Sequence, residues 1–172
     1  GWGPWGYSYY LMGKLWWNPR ADLEALKRDF VQTGYAEAFE PMRRYYRRLD
    51  QARVYPSPAD LYALRQDLNE AVKIVRDPGA RLRIDSLRAY YVLLDVHNKV
   101  QAAKATPEDL LTALRIVKGL DYHVTEIKEG SFKGAPGLPT GEVPPLTGEA
   151  LCAFLDTVVP APPERELPAW RD

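Results

Sequence analysis

The stretch SPADLYALRQDLNEAVKIVRDPGARLRIDSLRAYYVLL, Ser57 to Leu94, decides the fold class. Ser57 with Asp60 reads as a helix start. The serine oxygen can accept backbone N–H bonds, and the acid sits well against the positive end of the helix dipole. Leu61, Leu64, Leu68, Val72 and Val75 then recur at three- and four-residue steps, the period of one helix face. Asp77-Pro78 breaks that helix or starts the next. Leu82, Leu87, Tyr90, Tyr91 and Leu94 continue the helical spacing beyond it.

The same grammar runs outward in both directions. Upstream, a first helix is expected from Tyr7 to Trp17, ended by Asn18-Pro19. A second carries Leu23, Leu26 and Phe30 and is stopped by Gly34. A third carries Phe39, Met42, Tyr46 and Leu49, with Pro41 early in it, where a missing amide proton is tolerated. Downstream, Thr106-Pro107-Glu108-Asp109 is another capped start, followed by Leu110, Leu114, Val117 and Leu120. From Gly130 the character changes to an irregular loop rich in glycine and proline. Thr147 then caps a short helix with Leu151, Phe154 and Leu155, and an extended proline-rich tail runs from Pro160 to Asp172. No alternating period-two run calls for a sheet, and no repeated signature indicates a solenoid. The expected fold is all-α: a multi-helix bundle with an irregular Gly/Pro-rich loop and an extended tail. Three regions follow: an aromatic segment at 1–17, a helical bundle at 18–129, and the loop, short helix and tail at 130–172.

Composition bounds the function. The 172 residues fit one domain, or one domain with a tail, and a chain of this length buries roughly 70% of its unfolded surface. Basic and acidic side chains balance at 23 each. No general attraction to nucleic acid or to an anionic membrane is therefore expected. A balanced charge also gives little colloidal repulsion, so a homo-oligomer or a contact with a further domain is compatible with it. No apolar run approaches the roughly 20 residues that span a bilayer. One cysteine, Cys152, excludes an intrachain disulfide and leaves the compartment open, a secreted or periplasmic place included. The chain lacks a signal-peptide pattern and an initiator methionine, which reads as an excised or processed segment.

The polar motifs point to no catalytic, metal or cofactor site. The two histidines, His97 and His123, lack ligand-like spacing. His97 is read as solvated or capping, His123 as bonding locally, and Cys152 as a small core residue. Arg43, Arg44, Arg47, Arg48 and Arg53 form the strongest basic cluster, with Tyr45 and Tyr46 interleaved. That cluster suits phosphate, RNA or an acidic sugar, or else a solvated face paired with Glu37, Glu40 and Asp50. The glycine-rich loop from Gly130 to Gly141 follows no strand and lacks the Gly-Lys-Ser/Thr ending of a phosphate loop.

Aromatic residues crowd the start: Trp2, Trp5, Tyr7, Tyr9, Tyr10, Trp16 and Trp17 all fall within the first 17 positions. Such rings either pack a core or interface, or stack on sugar rings while their N–H and O–H groups bond outward. Trp2 and Trp5 lie in a glycine-proline stretch read as a loop, which favours them over Trp16 and Trp17 as ligand contacts.

The stretch Gly6 to Leu49, about a quarter of the chain, resembles the carboxy-terminal region of a bacterial glycoside-hydrolase-like family, a domain of unknown function similar to alpha-glucuronidases. The resemblance rests on the tyrosine-rich helix, the Leu-Trp-x-x-Pro step at Leu15 to Pro19 and the Asp-x-x-x-Leu of Asp22 to Leu26. It continues in the Gly34-Tyr35 turn, reversed from the family's Tyr-Gly order, and the Met-x-x-Tyr of Met42 to Tyr45. It implies an upstream (β/α)8 barrel followed by a helical region. Residues 1–17 would be the last loop and helix of that barrel, with Trp2, Trp5 and Tyr7 contacting a carbohydrate. The catalytic carboxylates would lie upstream, so this chain would be the non-catalytic helical part. The alternative from another class is an independent helical protein–protein interaction module, using its aromatic end or its arginine face.

Overall fold

Three of the helices begin at a proline, because proline in the first turn gives up an amide that has no partner there anyway. The computed structural model describes residues 2–51, 56–120 and 129–158, with the side chains of residues 2–4 left aside. Among them are seven α-helices and no strand: α1 (Trp2–Trp17), α2 (Leu23–Tyr35), α3 (Phe39–Gln51), α4 (Pro58–Ile74), α5 (Pro78–Gln101), α6 (Pro107–Gly119) and α7 (Gly148–Thr157). The all-α multi-helix fold read from the sequence is the fold observed.

The helix starts follow the expected chemistry. Ser57 and Asp60 form a reciprocal capping box ahead of α4, and Thr106 and Asp109 do the same ahead of α6. Asp77 accepts the Ala80 amide at the head of α5, and Asp22 accepts those of Glu24 and Ala25 at the head of α2. Each such cap contributes about 1 kcal/mol. Thr147 stands at the N-cap of α7, but its side chain makes no capping hydrogen bond.

Two hydrophobic cores share α5. The first gathers Tyr7, Val31, Met42, Tyr45, Tyr46, Leu64, Leu68, Leu87 and Tyr91 from α1 to α5. The second gathers Val92, Leu93, Val96, Leu110, Leu114 and Ile116 with Phe132, Val143, Leu146, Leu151 and Leu155. The irregular segment from Gly130 is thus one wall of the second core, so the change of character there is in backbone regularity, not in packing. Its close approach depends on Gly119. The Leu146 amide donates to the Arg115 carbonyl at 2.9 Å, and a Cβ on Gly119 would lie 1.9 Å from the Leu146 carbonyl oxygen.

Buried ion pairs tie the helices laterally. Asp85 is held by Arg81 at 2.6 Å and Arg88 at 2.7 Å. Arg88 also reaches Asn69 on α4, and Asp156 and the Leu155 carbonyl on α7, so one guanidinium joins three helices.

Several expectations need correction. The first helix begins at Trp2 rather than Tyr7, because Gly3 and Pro4 fall in its first turn, where proline is compatible with helix. Leu82 and Leu23 are exposed, while Ile84, Val31 and Tyr35 take the inward positions. Helix α2 runs one residue past Gly34 and ends where Ala36 turns to a positive φ of 46°. His123, Arg53 and the tail from Pro160 lie outside the described residues.

Candidate functional site

Helix α1 is apolar on two opposite sides. At about 100° per residue, positions 7 and 11 share one face and positions 5, 9, 12 and 16 share the other. Tyr7 and Leu11 face the first core. Trp5, Tyr9, Met12 and Trp16 face away from it, exposed by 41%, 44%, 45% and 82%. Trp17 at the end of the helix is 92% exposed. These large apolar side chains are thus aligned along the outer face of α1.

Trp5 and Tyr7, both expected to touch a sugar, therefore do not share a surface. Trp5 is in the outward stripe. Tyr7 is buried: its ring stacks on Tyr46 with centroids 4.5 Å apart, and its hydroxyl donates to Asp50 at 3.2 Å. Burial, followed by the nearby Asp50 charge, pushes the Tyr7 phenol well above its ordinary range, so it stays protonated and works as a fixed donor. Trp2 heads the same helix, and its side chain lies outside the described set. Trp16 and Trp17 are more exposed than Trp5.

Behind Tyr7 is a chain of buried phenols. Tyr46 and Tyr35 share a hydrogen bond of 2.6 Å, and Tyr45 and Tyr91 share one of 3.2 Å. Desolvation raises all four, so each remains neutral. Tyr45, adjacent to arginines in sequence, belongs wholly to this core. On the rim, the Tyr10 hydroxyl bonds to Asp29, which together with its partial burial pushes the phenol up to about 12 and ties α1 to α2.

A cavity of about 480 Å³ opens between α1, α2 and α3. Tyr7, Val31, Phe39 and Tyr46 give it an apolar floor, and Lys27, Arg28, Arg43 and Arg47 stand around it with Glu24, Glu40 and Asp50. The basic cluster of α3 divides here. Arg44 and Arg48 turn to α4, where their Nε atoms meet Asp67 at 3.1 and 2.8 Å. Arg43 and Arg47, one helical turn apart, turn to the cavity. Arg43 pairs with Glu40 at 3.0 Å, as the solvated-face reading expects. Asp50 instead takes Lys27 at 2.9 Å, and a Glu37 carboxylate oxygen accepts the Arg76 amide.

The buried acids are structural in their bonding. Asp67 and Asp85 each sit between two arginines; Glu70 shares Arg44 with Asp67, and Asp156 shares Arg81 and Arg88 with Asp85, so each neighbouring carboxylate is bridged by a guanidinium. Among the described residues no three His, Cys, Asp or Glu side chains gather as for a metal ion. His97 is partly exposed, and its Nδ1 is buried with no hydrogen-bond partner among the described residues. The outward stripe of α1 was legible as aromatic crowding. The cavity was not, because its walls come from three helices whose packing no single period reveals. The chain matches no protein-family model, no curated protein and no solved structure.

Proposed function

We propose that this chain is the non-catalytic helical part of a carbohydrate-active, glycoside-hydrolase-like protein, with α1 seated on an upstream barrel. The observation that supports this reading is the outward stripe Trp5, Tyr9, Met12 and Trp16 on a helix whose other face is already in the core. A helix apolar all round is ordinarily covered on both sides. The exposed area of the stripe is on the order of 500 Å², comparable to the largest apolar patches on monomeric proteins. Covering it removes about 10 kcal/mol of apolar exposure before association costs. Helices packed around a barrel of alternating strands and helices have this two-sided character, one side to the barrel and one to the next layer.

In this reading the chain buttresses the barrel and supplies Trp5, with Trp2 before it, to the edge of a sugar site. Tyr7 holds α1 on α3 and has no direct part in sugar contact. The coding sequence upstream of Gly1 tests the assignment. A region of about 250 residues with alternating strand and helix patterning is expected, and its absence overturns the reading. Tryptophan fluorescence with neutral sugars and uronic acids then tests whether the aromatic end binds carbohydrate by itself.

The same stripe suits the alternative, an independent helical module that binds a separate protein. A missing barrel region, together with a concentration-dependent dimer that Trp16→Glu dissolves, would support that alternative. Trp16 is largely solvated, so Trp16→Glu itself should change stability by about 0.5 kcal/mol at most.

A further inference from the structure

The cavity between α1, α2 and α3 is unconnected with the barrel reading, since it lies on the core side of α1. Its volume of about 480 Å³ falls within the roughly 300–1,000 Å³ typical of small-molecule sites. Three features define its chemistry. The floor is apolar and aromatic, formed by Val31, Phe39, Tyr7 and Tyr46. All three carboxylates are engaged: Glu24 and Asp50 on Lys27, and Glu40 on Arg43. Arg28 and Arg47 line the same cavity and make no ion pair among the described residues. Four cations against three carboxylates leave one net positive charge on the lining.

We infer that this cavity is a binding site for a small organic monoanion, a carboxylate carried on an apolar ring or chain, with Arg28 and Arg47 holding the carboxylate. A guanidinium presents a planar fork that matches a carboxylate with two parallel hydrogen bonds. The apolar body of the ligand covers the aromatic floor, and the single surplus charge matches one carboxylate. A dianion would meet the three acids of the rim with only one surplus charge to offset it.

Titration calorimetry and amide chemical shifts with phenylbutyrate, its neutral counterpart phenylbutanol, and butyrate test this. Phenylbutyrate should bind and shift the amides of Val31, Arg28 and Arg47, with phenylbutanol and butyrate each binding at least tenfold more weakly. Arg28→Gln and Arg47→Gln should each weaken phenylbutyrate about tenfold, the loss expected for one charge-assisted hydrogen bond. Both side chains are exposed, so both variants should fold as the parent does. The proposal is overturned if phenylbutyrate does not bind, if phenylbutanol binds equally well, or if the arginine variants bind phenylbutyrate unchanged. Phenylbutyrate shifts confined to Trp5, Tyr9 and Trp16 would equally overturn it, and would leave the reading of α1 standing.

Discussion

Substituting Gly119 by alanine isolates the contact that fixes the irregular wall of the second core. In an ordinary helix a Gly→Ala change stabilises by about 1 kcal/mol. At Gly119 the new methyl would sit 1.9 Å from the Leu146 carbonyl oxygen and 2.7 Å from its carbon. Both distances are far inside van der Waals contact, and the obstructing atoms are backbone. Segment 143–146 must therefore withdraw by more than roughly 1 Å, given optimal heavy-atom separations near 3.5 Å. Withdrawal breaks the bond from the Leu146 amide to the Arg115 carbonyl, a net loss of about 1 kcal/mol. It also loosens Val143 and Leu146, both buried, each of which contributes about 1.5–3 kcal/mol when fully packed. With partial loosening and the helix-propensity gain subtracted, Gly119→Ala should destabilise by about 2–4 kcal/mol. Gly13→Ala is the internal control: apart from its own chain neighbours and helix backbone, nothing lies within 4 Å of a Cβ there, so it should stabilise by about 0.5–1 kcal/mol. Urea unfolding followed by far-ultraviolet circular dichroism measures both. A Gly119→Ala protein as stable as the parent, or stabilised like Gly13→Ala, would refute the claim that segment 143–146 seats on the end of α6.

Helix α5 ends in a Schellman motif, with Lys104 N–H on Lys99 O and Ala103 N–H on Val100 O, and Ala103 sits at φ 53°. Ala103→Gly should raise stability by about 1 kcal/mol in the same unfolding assay, because glycine takes that conformation without a Cβ clash. Arg88→Met should destabilise by about 3 kcal/mol and expose α7 to proteolysis, since it removes the bonds to Asn69, Asp156 and Leu155 and leaves buried Asp85 with Arg81 alone. Acid should release α7 early. Desolvation opposes ionisation of Asp156, but its bonds to Arg88 and Arg81 bring the carboxyl below its ordinary value. The stabilisation is therefore complete above the unfolded value of about 3.9 and is lost as pH falls through the lower folded value. Amide exchange of α7 should quicken across that window ahead of the α4–α5 core, and Asp156→Asn should remove the pH dependence.

Helix periodicity and capping residues made most of the fold legible. Ser57 with Asp60, Asp77 with Pro78, and Thr106 with Asp109 are local signals: a side chain bonds an amide two or three residues away, so sequence neighbours alone specify the start. The face turned inward was less legible wherever a helix is apolar on more than one side. In α5 the choice fell to Ile84 over Leu82, and in α2 to Val31 and Tyr35 over Leu23. Their hydrophobicities are alike, and only the position of the neighbouring helix separates them. Glycine and proline at Gly3 and Pro4 suggested a loop, although both are compatible with a first helical turn.

The candidate site divides in the same way. Sequence by itself determined that this chain is all-helical, evenly charged and crowded with aromatic rings at positions 2–17, because propensity, capping and composition act over a few residues. Only the tertiary structure decided which of those rings are buried and which stand out. Tyr7 and Trp5, two positions apart, lie about 200° apart around α1, and the placement of α3 against α1 buried the first and left the second in solvent. It likewise sent Arg44 and Arg48 into Asp67 and left Arg47 on the cavity. Side chains with the same local chemistry part company once a neighbouring helix supplies a partner for one and water for the other.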